Sequence, residues 1–303
     1  MTNFKGFHYL AFAATVVSTL SAETHCPGNV ASVPFRLVKG HQIIVPVSVN
    51  HAGPYNFLLD TGTQITMVDP SLAAQLHLDT QGTAVVAGAG SRQSASLAEL
   101  DLLQAGAHSV ASPKVLVYDL HPLQSADLNI QGVLGEDFLE HFDMLIDNAH
   151  RLLCLDDSGA MRAAVKGPRI PLIAAADAEQ GAPLSGLLIV TVRLSGATRP
   201  VRLMLDSGAN APILYNSAQY LAVPLSLSTS LHGSSVDGRQ RMFAALPLQD
   251  VRIGSLALSG VAFFSLGGAQ QDARAKGFDG VLTTGLFRRV FVDHADHFVV
   301  LEP

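Results

Sequence analysis

The sequence predicts a mainly β chain built as two homologous halves with short helices, the halves related by an approximate two-fold axis, on three observations. Short runs rich in Val, Ile and Leu alternate with clusters of Gly, Pro, Asn and Ser, the pattern of strands separated by turns. One set of landmarks occurs twice at a near-constant offset, the mark of a duplicated unit. The 303 residues suffice for two domains of ordinary size, each able to bury a core.

The elements follow in order within each copy. An apolar strand beginning at His41 leads to Phe57-Leu58-Leu59-Asp60-Thr61-Gly62, and one beginning at Leu187 leads to Leu203-Met204-Leu205-Asp206-Ser207-Gly208, with the two aspartates 146 positions apart. Helical pieces are expected at 70–76 and 216–221, each one strand beyond its aspartate, and at 136–142. Gly132-Val133-Leu134-Gly135-Glu136-Asp137 is answered by Gly280-Val281-Leu282-Thr283-Thr284-Gly285 at an offset of 148. Both halves close on an acidic turn before a last apolar strand: Asp147-Asn148-Ala149-His150 in the first, Asp293-His294-Ala295-Asp296 in the second. The resulting limits are a signal peptide over 1–22, a first half over 30–157 and a second half over 168–303.

The first residues carry Lys5, an apolar run from Tyr9 to Leu20 and the small pair Ser21-Ala22, the order of an export signal. The run is shorter than a bilayer span, and no later segment replaces it, so no stable membrane span is expected after signal removal. The expected location is the periplasm or the exterior. There Cys26 and Cys154 could pair, or Cys154 could simply be apolar filling; the sequence leaves both open. A net charge of -6 with scattered basic residues gives no phosphate-tracking surface, which argues against nucleic acid.

The two Asp-Thr/Ser-Gly tripeptides carry the chemistry. In each, an apolar strand delivers a carboxylate into a turn whose glycine, Gly62 or Gly208, permits close backbone approach. The hydroxyls of Thr61 and Ser207 are placed to bond the backbone of the opposite loop and lock the turns together. Two carboxylates close together in a dry cleft cannot both ionise and must share a proton. Thr63 follows Gly62 whereas Ala209 follows Gly208, so only the first loop offers an extra hydroxyl donor. Asp60 is therefore expected to be the more acidic partner and Asp206 the proton holder.

Leu-Leu-Asp-Thr-Gly with a downstream Gly-Val-Leu-Gly and a short helix resembles the retropepsin-like aspartic proteases. The second copy, Met204-Leu205-Asp206-Ser207-Gly208-Ala209, resembles the Asp-Ser-Gly form of the same motif. The resemblance spans 35–301 and implies two acid-protease β-barrel halves in one chain, a monomer with an internal pseudo-dimer. It also implies an aspartic endopeptidase with catalytic Asp60 and Asp206, acting on polypeptide with no metal or organic cofactor. Flap hairpins are expected to bear Gly88 and Gly90 in the first half and Gly233 and Gly238 in the second. Val85, Val86 and Phe243 would line the walls, with Leu134 and Leu282 near the cleft floor as apolar substrate contacts.

Several departures and rival readings stand beside this. Thr283 replaces Gly135 and Gly285 replaces Asp137 in the second copy, which leaves room for a relaxed second half. A catalytically inactive relative that binds extended peptide between its flaps is the alternative function. Pairing of active loops between chains is another arrangement. The 293–297 segment could suggest a metal site, but a hairpin turn explains it. Gly88-Ala89-Gly90 lacks the third glycine and following helix of a dinucleotide site, and no Gly-x-Ser-x-Gly elbow supports a serine hydrolase.

Overall fold

In a computed structural model of the chain, the described residues are 25–88, 91–124, 128–173, 186–215, 217, 220–221, 230–234, 240–266 and 277–303. The fold is mainly β. Each half is a curled sheet, and the strands follow the same order in both. In the first half the strand carrying Asp60, Ala52–Leu59, lies between Gln42–Val49 and Gly132–Leu134. In the second, Val201–Asp206 lies between Ile189–Leu194 and Gly280–Thr283. The central pairings are parallel, with Leu59 opposite Leu134 and Leu205 opposite Leu282. Toward the aspartates these strands are covered on both faces, so Phe57-Leu58-Leu59 and Leu203-Met204-Leu205 read as continuous apolar runs rather than as alternation. A single apolar cluster continues through both halves, joining Phe57, Leu59 and Leu134 to Leu203, Leu205 and Leu282.

A third sheet of six strands belongs to both halves. Hairpins Asp143–Asp147/Leu152–Asp156 and Arg289–Asp293/Phe298–Glu302 meet edge to edge, pairing Met144 with Val292, Leu145 with Phe291 and Ile146 with Val290. This register maps onto itself when the halves are exchanged, so the two-fold axis passes through the Leu145 and Phe291 pair. Edge strands Ser32–Pro34 and Ile170–Pro171 complete the sheet on its two sides. Joining the halves in this way satisfies the inner strand edges that would otherwise be left unpaired.

The helices are short. Pro70–Gln75 starts where Asp69 accepts the Ser71 N–H at 2.9 Å and Pro70 takes the first helical position. The expected helix at 136–142 is confined to Glu136–Leu139. It stops early because the chain must extend again at Asp143 to enter the shared sheet, while Phe142 turns into the core. Most of the expected 216–221 helix lies outside the described residues. The stretch between the halves contains the helix Ala160–Ala164, which buries Met161 completely and projects Arg162. Cys26 and Cys154 form a disulfide with a Cα–Cα distance of 5.8 Å, fixing the segment at Cys26 to the shared sheet. Among the described residues no helix is long and apolar enough to cross a membrane.

Candidate active site

The two central strands end side by side at the two-fold axis, and the turns beyond them interlock. The Thr61 hydroxyl donates to Leu205 O at 2.9 Å and accepts the Ser207 N–H at 3.0 Å. Reciprocally, the Ser207 hydroxyl donates to Leu59 O at 2.8 Å and accepts the Thr61 N–H at 3.1 Å. Both hydroxyls are buried, so each of these four bonds satisfies a group that water cannot reach. The loops of one chain therefore face each other.

The glycines set how close the acids come. A methyl built on Gly62 would lie 2.7 Å from Asp206 Oδ2, and one on Gly208 would lie 2.7 Å from Asp60 Cγ. Each glycine is thus the contact surface for the opposite carboxyl group, and any side chain there would push the loops apart. The two carboxyl groups lie close enough for each to influence the other's titration. Asp60 is 5% exposed and Asp206 partly buried.

Their surroundings differ in donors. Asp60 accepts the Gly62 N–H at 2.9 Å and the Thr63 hydroxyl at 2.8 Å, one on each oxygen. Asp206 accepts the Gly208 and Ala209 N–H groups at 2.7 and 3.0 Å, both on Oδ1. Burial raises Asp60, and the Thr63 hydroxyl is the strongest of the contacts that oppose the rise. Asp206 is raised well above the ordinary carboxylate range, first by burial and then by the charge of Asp60. Asp206 is thus the more strongly raised of the pair, and among the described residues both of its loop donors lie on Oδ1. Aspartic-protease dyads are the type case of such coupling.

The departures in the second copy have a structural explanation. In the first half Glu136 N–H donates to Thr63 O at 2.8 Å, and a side chain on Gly135 would meet that same oxygen at 2.8 Å. In the second half the Thr283 hydroxyl donates to Ala209 O at 2.7 Å, so a side chain supplies the anchor that backbone supplies in the first. Asp137 accepts from both the Thr66 N–H, at 2.9 Å, and the Thr66 hydroxyl, at 2.6 Å. Both loops are anchored, by different means.

The other expected site residues fall differently. Leu134 and Leu282 have no exposed surface and pack in the core beside the strands that lead to Asp60 and Asp206. Sequence reasoning placed them against substrate; as the direct neighbours of Leu59 and Leu205 in the sheet, they support the loops from within. The flap hairpins form at equivalent sheet ends, Thr80–Gly88 with Ser91–Glu99 and Ser230–Ser234 with Gln240–Ala245. Gly88 and Gly233 lie on their strands, whereas Gly90 and Gly238 lie outside the described residues. Val85 and Met242 on these hairpins are 66% and 50% exposed.

Residues 294–297 form the turn between the last two strands, with Asp293 ending the first of them. Its side chains are engaged elsewhere: Asp293 pairs with Arg162 at 2.7 Å, and His294 Nε2 lies 3.1 Å from Glu136 Oε2. Among the described residues no group of three His, Cys, Asp or Glu side chains is placed to hold a metal. The Glu136 and His294 contact was not foreseen, since nothing local joins positions 158 apart. The internal repeat gave the available signal, because it sets His294 opposite Asn148 and Glu136 opposite Thr284.

Two β halves each bring one aspartate to a common meeting point at the two-fold axis. Residues 45–138, in the first half, are similar to the family model described as aspartyl protease. The matched stretch holds the Asp60 loop and ends at Phe138, so the second half rests on the internal repeat and on its own geometry. No curated protein matches the chain.

Proposed function

We propose that the protein is an exported aspartic endopeptidase that hydrolyses peptide bonds with a water held between Asp60 and Asp206. The observation that carries this reading is the close approach of the two aspartates with unlike donor sets, spread over both oxygens and including the Thr63 hydroxyl at Asp60 but confined to Oδ1 at Asp206. Asp60, ionised, takes a proton from the water as its oxygen bonds to the scissile carbonyl carbon. Asp206 gives its proton to the carbonyl oxygen, and a tetrahedral diol results with no covalent link to the enzyme. In the collapse the C–N bond breaks, Asp60 passes its proton to the leaving nitrogen, and Asp206 recovers one from a diol hydroxyl.

The location and partner follow from further features. The signal-like start and the Cys26–Cys154 disulfide favour an oxidising compartment, periplasmic or exterior. Paired hairpins bearing exposed Val85 and Met242 suit an extended polypeptide laid between them. Complementary loops within one chain favour a monomer.

Cleavage of a mixed peptide library from about pH 3 to 8 tests the reading. Asp60→Asn and Asp206→Asn are each expected to lose about 10²- to 10⁴-fold in kcat, the range of a general acid or base. A folded wild type that cleaves nothing at any pH would point instead to the peptide-binding relative.

A further inference from the structure

Behind the catalytic loops the two halves grip each other by a pair of crossed contacts that the repeat makes equivalent but the residues make unlike. From the first half Asn148 reaches across, its amide donating to Thr284 O at 3.2 Å and Phe287 O at 2.9 Å. From the second half His294 occupies the equivalent position, with Nδ1 2.6 Å from Phe142 O and Nε2 3.1 Å from Glu136 Oε2. Each contact ends on the short helix that follows the strand beside a catalytic aspartate, Thr284–Leu286 in one direction and Glu136–Leu139 in the other. A neutral amide on two carbonyls meets the structural need on one side. On the other side the same need is met by two titratable groups, with Glu136 1% exposed.

Hydrogen-bond chemistry fixes what this pair must hold. A carbonyl only accepts, so His294 Nδ1 carries hydrogen toward Phe142 O. Nε2 then either accepts from a protonated Glu136 or, as imidazolium, donates to its carboxylate. In both cases one proton sits between them, and its loss would set a lone pair against a buried carboxylate. Among the described residues Glu136 Oε1 is buried with no partner, which disfavours a bare carboxylate and favours retention of the shared proton.

This proton lies close to the chemistry. The Glu136 N–H donates to Thr63 O at 2.8 Å, and the Thr63 hydroxyl donates to Asp60 at 2.8 Å. The charged neighbours are Glu140 just past the same helix, Asp60 in front and Asp143 beside His294; all three are acids, so each favours retention of the proton. Burial raises Glu136 to about 7, and His294 is raised by Glu136 against the opposing effect of its burial.

We propose that Glu136 and His294 are positioning residues for the peptidase reaction: a proton-bearing clamp that holds the Asp60 loop in register with the second half and releases it when the clamp loses its proton. The proposal rests on the peptidase reading, and the tests separate the two. Glu136→Ala is expected to lower kcat roughly 10- to 100-fold with KM within about twofold, as displaced reacting groups do. Glu136→Gln, whose amide still donates to His294 Nε2, is expected to restore kcat in weak acid. Ring-nitrogen NMR of His294 should show a titration midpoint that falls in Glu136→Gln, and the decline of Tm as pH rises through neutrality should flatten. Folded Glu136→Ala with wild-type kcat, Glu136→Gln as impaired as Glu136→Ala, or an unmoved His294 midpoint would each overturn the clamp. If the wild type cleaves nothing the peptidase reading fails alone, and the titration and Tm measurements still decide whether Glu136 and His294 share the proton.

Discussion

Thr63 shows how one hydroxyl makes two chemically identical acids unlike. Asp60 and Asp206 sit in turns of the same shape, yet only the first turn places a side-chain donor on its aspartate, at 2.8 Å. Removing that donor in Thr63→Ala takes away the strongest contact opposing the rise that burial causes in Asp60. The acid limb of kcat/KM, which marks loss of the Asp60 charge, is therefore expected to move to higher pH. A pH-rate profile of the variant that superimposes on wild type would remove Thr63 from this role. The pair titrates as a unit, so the profile reports both acids together. Thr63 was legible in the sequence because its effect is local: it stands three residues from Asp60 on a tight turn.

At the scale of elements, the helix Ala160–Ala164 does more than link the halves. Where the two central hairpins meet, Asp147 faces Arg289, and exchange of the halves sets Asp143 toward Asp293 on the other side of the axis. Two buried acids there would repel. Arg162 answers both, at 3.1 Å from Asp143 and 2.7 Å from Asp293, and reaches Asp296 at 3.5 Å. Arg162→Ala is expected to cost about 2 to 4 kcal/mol in denaturant unfolding at about pH 7, somewhat below a fully buried pair because the arginine keeps 30% exposure. Asp143 is raised by burial and then by Asp293, so it takes up a proton readily once Arg162 is gone. The loss should then shrink near pH 4. An equal loss at both pH values would mean that packing of the arginine stem, and not charge, is responsible.

For the whole molecule, the buried acids give stability a defined pH dependence. Glu136 has an ordinary value of 4.5 when exposed and about 7 when folded. Between these the folded state binds more protons than the unfolded chain, so stability falls as pH rises across that interval. Asp60 and Asp206, also raised by burial, act in the same direction. Asp147 and Asp156 act oppositely: burial raises them, but hydrogen bonds outweigh it, from His150 to Asp147 and from Ser158 and Met161 to Asp156, and hold both below 3.8. Their contribution is present above that value and disappears as pH falls through the folded value. Tm is accordingly expected to peak in weak acid, and a maximum at or above neutrality would contradict the assignment. The continuous core predicts one cooperative transition rather than one per half. The Cys26–Cys154 bridge closes a separation of 128 residues, so reduction should lower unfolding stability by about 4 to 5 kcal/mol on loop entropy. Identical unfolding with and without reductant would show that the bridge constrains little.

The duplication, the two aspartate loops, the interlocking hydroxyls and the mainly β class were all determined by the sequence alone. Strand patterning and an Asp-Thr/Ser-Gly turn are short-range properties, and a repeat carries its own alignment. Tertiary structure alone decided which positions face each other across the axis. Neither the Glu136 and His294 clamp nor its Asn148 counterpart has a local pattern, since each joins residues 136 to 158 apart in the chain. The register of Leu145 on Phe291 brings them together. The same register explains Arg162, which is an ordinary basic residue until two acids of different halves converge on it. The structure also joined the cysteines, which the sequence left open, and moved Leu134 and Leu282 from the expected cleft floor into the core. Apolar residues at a strand end look alike in sequence whether they line a cleft or fill a core; only the neighbouring sheet determines which surface they meet.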